Sequence, residues 1–93
     1  MKHNYLVGYD ISDPKRLRQV AQVIEGFGNR VQYSFFHCFL SQRQKKRMRE
    51  MLAKVIREGE DQVIILPVTE KQLKEIEFLG YKINLLAEGI IIV

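Results

Sequence analysis

Apolar positions along this chain alternate between strand-like bursts and helix-like stripes, and their spacing predicts the order of its elements. Residues 4–10, NYLVGYD, carry aromatic and aliphatic side chains on both faces, the pattern of a strand covered on both sides. Leu17, Val20, Ala21, Ile24 and Phe27 then recur at helical intervals. Asp13 is placed to cap that helix, Pro14 fits its first turn, and Gly26 with Gly28 ends it. Residues 30–40, RVQYSFFHCFL, are long for one strand, so a break or tight turn is expected near Ser34. Within them Val31, Tyr33, Phe35, His37 and Phe39 share one side, and Phe36, Cys38 and Leu40 the other.

Ser41 and Gln44 have the spacing of a capping box. The helix they open should turn Met48, Met51, Leu52, Val55 and Ile56 inward and stop before Gly59. Asp61 to Pro67, DQVIILP, reads as a buried strand closed by proline. Thr69 and Gln72 are placed to cap a short helix over roughly residues 70–78. After Gly89 the tail Ile90–Val93 is wholly β-branched. Left unpaired it would be a sticky edge, so it is expected to complete a sheet, its own or another subunit's. The order predicts an α+β, ferredoxin-like βαββαβ domain with an additional C-terminal strand, whose expected use is to complete a dimeric sheet. A small three-layer α/β protein is the rival arrangement. No repeat, linker or low-complexity segment divides residues 1–93, which are read as a single domain.

Composition changes this picture in two places. The formal charge of +4 is modest, but residues 1–57 hold 12 basic and 4 acidic side chains, a net +8, whereas residues 58–93 hold 3 and 7, a net −4. The basic part of the chain therefore points to an anionic partner. At 93 residues burial is limited, which makes association with another chain a natural expectation. The single Cys38 excludes an internal disulfide and a thiolate cluster, and no apolar run approaches a membrane span. A cytoplasmic, non-membrane protein is expected.

The candidate chemistry is sparse. Asp10 ends the first strand, where a carboxylate can serve as a hard oxygen ligand for Mg²⁺ or simply shape a turn. Asp13 is better explained as a cap. One carboxylate makes a poor metal site, but a homodimer would supply Asp10 twice. His3 and His37 lack zinc spacing; His37 reads as a satisfied histidine and Cys38 as packing. Lys15, Arg16 and Arg18 follow Asp10 closely, and Arg30 precedes the second strand. Arg43, Lys45, Lys46, Arg47 and Arg49 crowd the start of the second helix, where cations oppose the helix dipole. That cluster is either a solvated face or a surface for a nucleic-acid backbone. No motif for base-specific reading accompanies it.

Tyr9-Asp10-Ile11-Ser12-Asp13, followed by Lys15-Arg16-Leu17-Arg18 and Val20, forms one motif; Arg30-Val31-Gln32-Tyr33-Ser34-Phe35-Phe36-His37-Cys38 forms a second. Together, at this separation and chain length, they resemble the second core CRISPR-associated protein family, the small subunit of the spacer-acquisition machinery. The resemblance is strong over residues 5–40 and weak after 57. It implies a ferredoxin-like homodimer in which each C-terminal strand extends the partner's sheet. It implies Asp10 as the catalytic, Mg²⁺-binding residue, paired across the dimer, with Tyr9, Arg16, Arg18, Arg30 and Phe36 in support. The implied activity is hydrolysis of phosphodiester bonds in single-stranded RNA or double-stranded DNA. The implied alternative is a non-catalytic architectural dimer that holds protospacer DNA and bridges two dimers of a CRISPR integrase subunit. This chain departs from the family's second motif at Phe35 and His37, which stand where a valine and a glutamate are usual. It carries Pro14 where an acidic residue is common.

Overall fold

The computed structural model describes residues 1–80 and, beyond them, two strands at 83–86 and 89–92. The elements are β1 (Lys2–Asp10), α1 (Pro14–Glu25), β2 (Gly28–Gln32), β3 (Phe35–Ser41), α2 (Gln42–Ala53), β4 (Gln62–Val68), α3 (Glu70–Lys74), β5 (Ile83–Leu86) and β6 (Gly89–Ile92). The break expected near Ser34 is a tight turn at residues 33–34, which splits the long aromatic stretch into β2 and β3. The first four strands form one antiparallel sheet in the order β2-β3-β1-β4. This is the ferredoxin-like βαββαβ topology. β5 and β6 form a separate two-stranded antiparallel pair. The terminal apolar strand thus pairs within its own chain; the expectation for Val93 falls outside the described residues.

Each helix begins where the sequence predicts, for a physical reason visible in the hydrogen bonds. The Asp13 side chain accepts from the Arg16 amide at 2.9 Å, which satisfies an orphan N–H of α1 and holds the carboxyl below its usual range. Ser41 with Gln44, and Thr69 with Gln72, each form a complete capping box. α3 is shorter than expected, ending at Lys74 instead of near residue 78. Leu73 is its one buried residue, and Glu75 and Glu77 add negative charge at the end that the helix dipole already makes negative.

α1 and α2 pack on one face of the sheet. Tyr5 and Val7 of β1 and Phe36, Cys38 and Leu40 of β3 meet Val20, Ala21 and Ile24 of α1 and Met48 and Leu52 of α2 in one buried cluster. Leu17 and Met51, expected inside, lie at the edge of this core and are 39% and 38% exposed. The other face differs from expectation more sharply. β4 is an edge strand, which is what allows Pro67 inside it, and it is only half covered. Val63 and Ile65 turn toward the core, while Ile64 and Leu66 alternate to the open face and are 49% and 50% exposed.

Candidate functional site

Alternation along β1 decides where Asp10 stands. Tyr5, Val7 and Tyr9 point to the helix-covered core, so Leu6, Gly8 and Asp10 belong to the opposite face, on which Asn4 and His37 are buried and β6 lies against β2 and β3. Asp10 is the last residue of the strand, lies opposite Gln62 of β4 and is exposed. Among the described residues its carboxylate makes no side-chain hydrogen bond or ion pair. It heads the same apolar face as Ile64 and Leu66.

The supporting residues divide into two groups. Tyr9, Arg18, Arg30 and Tyr33 line a groove of about 390 Å³ between α1 and the β2–β3 turn, on the helix side of the sheet. Tyr9 and the buried Phe36 pack with ring centroids 6.2 Å apart, and the Arg30 guanidinium lies 4.9 Å over the Phe36 ring. Arg30 also donates to the Tyr33 carbonyl and pairs with Glu25 at 3.4 Å, while Tyr9 donates to that carbonyl at 3.4 Å. Tyr33 is left 91% exposed at the turn.

Arg16 belongs elsewhere. Its guanidinium grips Asp61 through Nε at 2.7 Å and Nη2 at 3.2 Å. Hydrogen bonds from Arg16 and from the Arg57 and Ser12 amides hold the Asp61 carboxyl well below the usual carboxylate range, and the same pairing raises the Arg16 value. Asp61 and Ser12 have no role in the sequence reading. Asp61 stands 45 positions from Arg16, and local periodicity carries no signal of a pair that distant.

The basic cluster of α2 forms a third region. Arg43, Lys46, Arg47 and Arg49 are exposed, and Lys45 is half-buried with its ammonium 5.0 Å over the Tyr5 ring. α2 begins beside Ser41, which pairs with Lys2 at the opposite end of β1 from Asp10. Lys15 and Arg18, both exposed, lie at the Asp10 end on α1. His37 and Cys38 need no site. Buried His37 Nε2 meets Asn4 Oδ1 at 2.8 Å, and burial lowers its pKa; burial also pushes the Cys38 thiol up to about 11, leaving it protonated packing.

Among the described residues no group of three or more His, Cys, Asp and Glu side chains could enclose a metal. The donor chemistry of exposed Asp10 fits a hard cation held through one carboxylate per chain, with water and phosphate completing the shell, which is how Mg²⁺ is commonly bound. It does not fit a closed cage. No helix among the described residues is long and apolar enough to cross a membrane.

Comparison with known proteins agrees with the fold. The family model for CRISPR associated protein Cas2 matches residues 3–76. A CRISPR-associated endoribonuclease Cas2 of Synechocystis sp. is 34% identical over 82% of this chain and 83% of its own length. Another, of Thermodesulfovibrio yellowstonii, is 37% identical over 89% of this chain and 91% of its own. A crystal structure of a hypothetical protein from Thermus thermophilus superposes with a TM-score of 0.77 at 33% identity, covering 86% of this chain and 93% of that one. The chain belongs to the Cas2 family, the small ferredoxin-like proteins of CRISPR adaptation.

Proposed function

We propose that this protein is a homodimeric, Mg²⁺-dependent endonuclease of CRISPR adaptation, cleaving single-stranded RNA or double-stranded DNA, with Asp10 as its metal-binding and catalytic carboxylate. The observation that carries the reading is the placement of Asp10: exposed, without a charged partner among the described residues, and at the end of a sheet face whose β4 side, at Ile64 and Leu66, is about half exposed. A second copy stacked on that face would bring a second Asp10 to the same interface. When bound there, Mg²⁺ would offset charge on the scissile phosphate and lower the pKa of an attacking water. Asp10 would hold the cation's side of the site from a strand end. Lys15 and Arg18, exposed on the first turns of α1, would draw the backbone toward it, and Tyr9, Phe36 and Arg30 would stiffen the neighbouring groove. The names of the related endoribonucleases support this activity.

The test is cleavage of single-stranded RNA and double-stranded DNA with and without Mg²⁺ by the wild type and Asp10→Asn. Cleavage should require Mg²⁺ and fall by at least about a hundredfold in the variant while its melting temperature stays unchanged. Cleavage persisting in Asp10→Asn would remove the assignment.

A second reading is favoured by the separation of the α2 cluster from Asp10 along the nine residues of β1. A cationic surface that far from the carboxylate suits DNA held for another enzyme. In that reading the dimer carries protospacer DNA on its helical faces and bridges copies of an integrase subunit. Spacer acquisition that continues undiminished with Asp10→Asn would favour it.

A further inference from the structure

Asp61 lies outside both sequence motifs, yet its carboxylate gathers five hydrogen bonds. Oδ1 accepts from the Ser12 amide at 3.1 Å, the Ser12 hydroxyl at 3.3 Å and Arg16 Nη2 at 3.2 Å. Oδ2 accepts from Arg16 Nε at 2.7 Å and the Arg57 amide at 2.8 Å. The Asp61 side chain has no exposed surface and that of Arg16 is 14% exposed, so salt screens the pair little. Asp61 directly precedes Gln62, whose Cα lies opposite Asp10, and Ser12 follows Asp10 by two residues. One carboxylate thereby ties the exit of β1 to the entry of β4 and to the first turn of α1. It does so at the strand end where Asp10 meets solvent. A side chain at an untethered strand end samples many positions, whereas a metal or substrate needs one, and support of this kind supplies it.

We propose that Asp61 is a positioning residue for Asp10, acting through Ser12 and Arg16, and that Arg16 serves this clamp instead of contacting substrate phosphate. The proposal rests on the reading of Asp10 as the catalytic carboxylate. The measurements are amide hydrogen exchange at Ser12 and the Mg²⁺ dependence of cleavage, both taken well below each variant's melting temperature. Asp61→Ala should speed Ser12 exchange and raise the half-saturating Mg²⁺ concentration about tenfold, the scale seen when residues supporting a metal ligand are removed. The KM for nucleic acid should stay within about twofold in Asp61→Ala and in Arg16→Ala, because neither side chain touches substrate. Asp61→Asn keeps the size and one acceptor oxygen, and should show the same changes in smaller degree if the alanine variant does not fold.

A purely structural Asp61 would lower the melting temperature and leave the Mg²⁺ half-saturation of the folded protein where it was, which would overturn the proposal. A large rise in KM confined to Arg16→Ala would return Arg16 to the phosphate backbone and overturn its part. Unchanged Ser12 exchange in Asp61→Asn would overturn the clamp itself, whatever the catalysis. Undiminished cleavage by Asp10→Asn would instead overturn the underlying reading, and the positioning role with it.

Discussion

His37 shows how a single residue can trade one kind of chemistry for another. Its position in the second motif commonly holds a glutamate in the family the motif resembles, yet here the side chain is 1% exposed and bonded to Asn4. With Asn4 Oδ1 as the acceptor, Nε2 carries the proton that joins the two side chains. Burial disfavours the imidazolium, so the folded-state pKa lies below the ordinary 6.5. The unfolded chain then binds a proton before the folded one does. Stability from this residue is complete above about pH 6.5 and is lost as pH falls through the lower folded value. The melting temperature of the wild type should therefore drop between neutral and mildly acidic pH at constant ionic strength. The drop should shrink in His37→Gln, which can still donate to Asn4 but does not titrate; equal drops would exclude His37 as the cause. His37→Phe should cost about 1–3 kcal/mol at neutral pH, since it strands the Asn4 carbonyl, and less in acid, where the wild type loses stability that the variant does not. The glycines beside this pair work by approach. A Cβ on Gly28 would strike the His37 carbonyl and Cys38 Sγ, and one on Gly8 would strike the Phe35 ring that lies across it.

At the level of elements, what was legible in the sequence was whatever is encoded locally. Asp13, Ser41 and Thr69 announced three helix starts because a cap and its N–H partner lie within three residues. The β2–β3 turn was legible because eleven strand-like residues cannot stay paired as one strand in so small a sheet. The early end of α3 was not, since a capping box marks a beginning only. The exposure of Ile64 and Leu66 was also hidden: an unbroken apolar run reads as buried on both sides, and only the sheet order places β4 at an edge. The site divides the same way. The sequence marks Asp10 as a candidate through its motif, whereas the hydrogen bonds of Asp61 to Ser12 beside it depend on the β1–β4 pairing. The α2 cluster was legible as charge, and the structure leaves four of its five cations exposed. If it carries a nucleic-acid backbone, neutralising Arg43, Lys46 and Arg47 to Gln should weaken binding to a short DNA duplex. It should also reduce the slope of log affinity against log salt by about 0.9 for each phosphate that is no longer neutralised. An unchanged slope would make the cluster a solvated face.

For the whole molecule the governing fact is asymmetry between the two faces of one sheet. Both main helices cover one face, and with them come most of the cations of residues 1–57. The opposite face buries Asn4 and His37, with β6 lying against β2 and β3, but leaves Ile64 and Leu66 about half exposed, Phe35 42% exposed, and Asp10 at its head. A chain of 93 residues gains much from covering the exposed part of such a surface, and the proposed second copy would cover it symmetrically. That association would turn both helical layers outward, so the dimer would present a basic surface on each side while bringing the two Asp10 residues into one interface. The consequence is a single test that joins assembly to chemistry. If the proposed dimer forms on this face, Leu66→Glu should shift it toward monomer in sedimentation, because a buried carboxylate pair at a two-fold interface is strongly unfavourable. The same variant should lose Mg²⁺-dependent cleavage although Asp10, Asp61 and the α2 cluster are all retained, and its duplex affinity should fall with the loss of the second basic surface. A Leu66→Glu protein that remains dimeric would move the interface off this face. One that becomes monomeric yet cleaves as before would show that a lone Asp10 suffices.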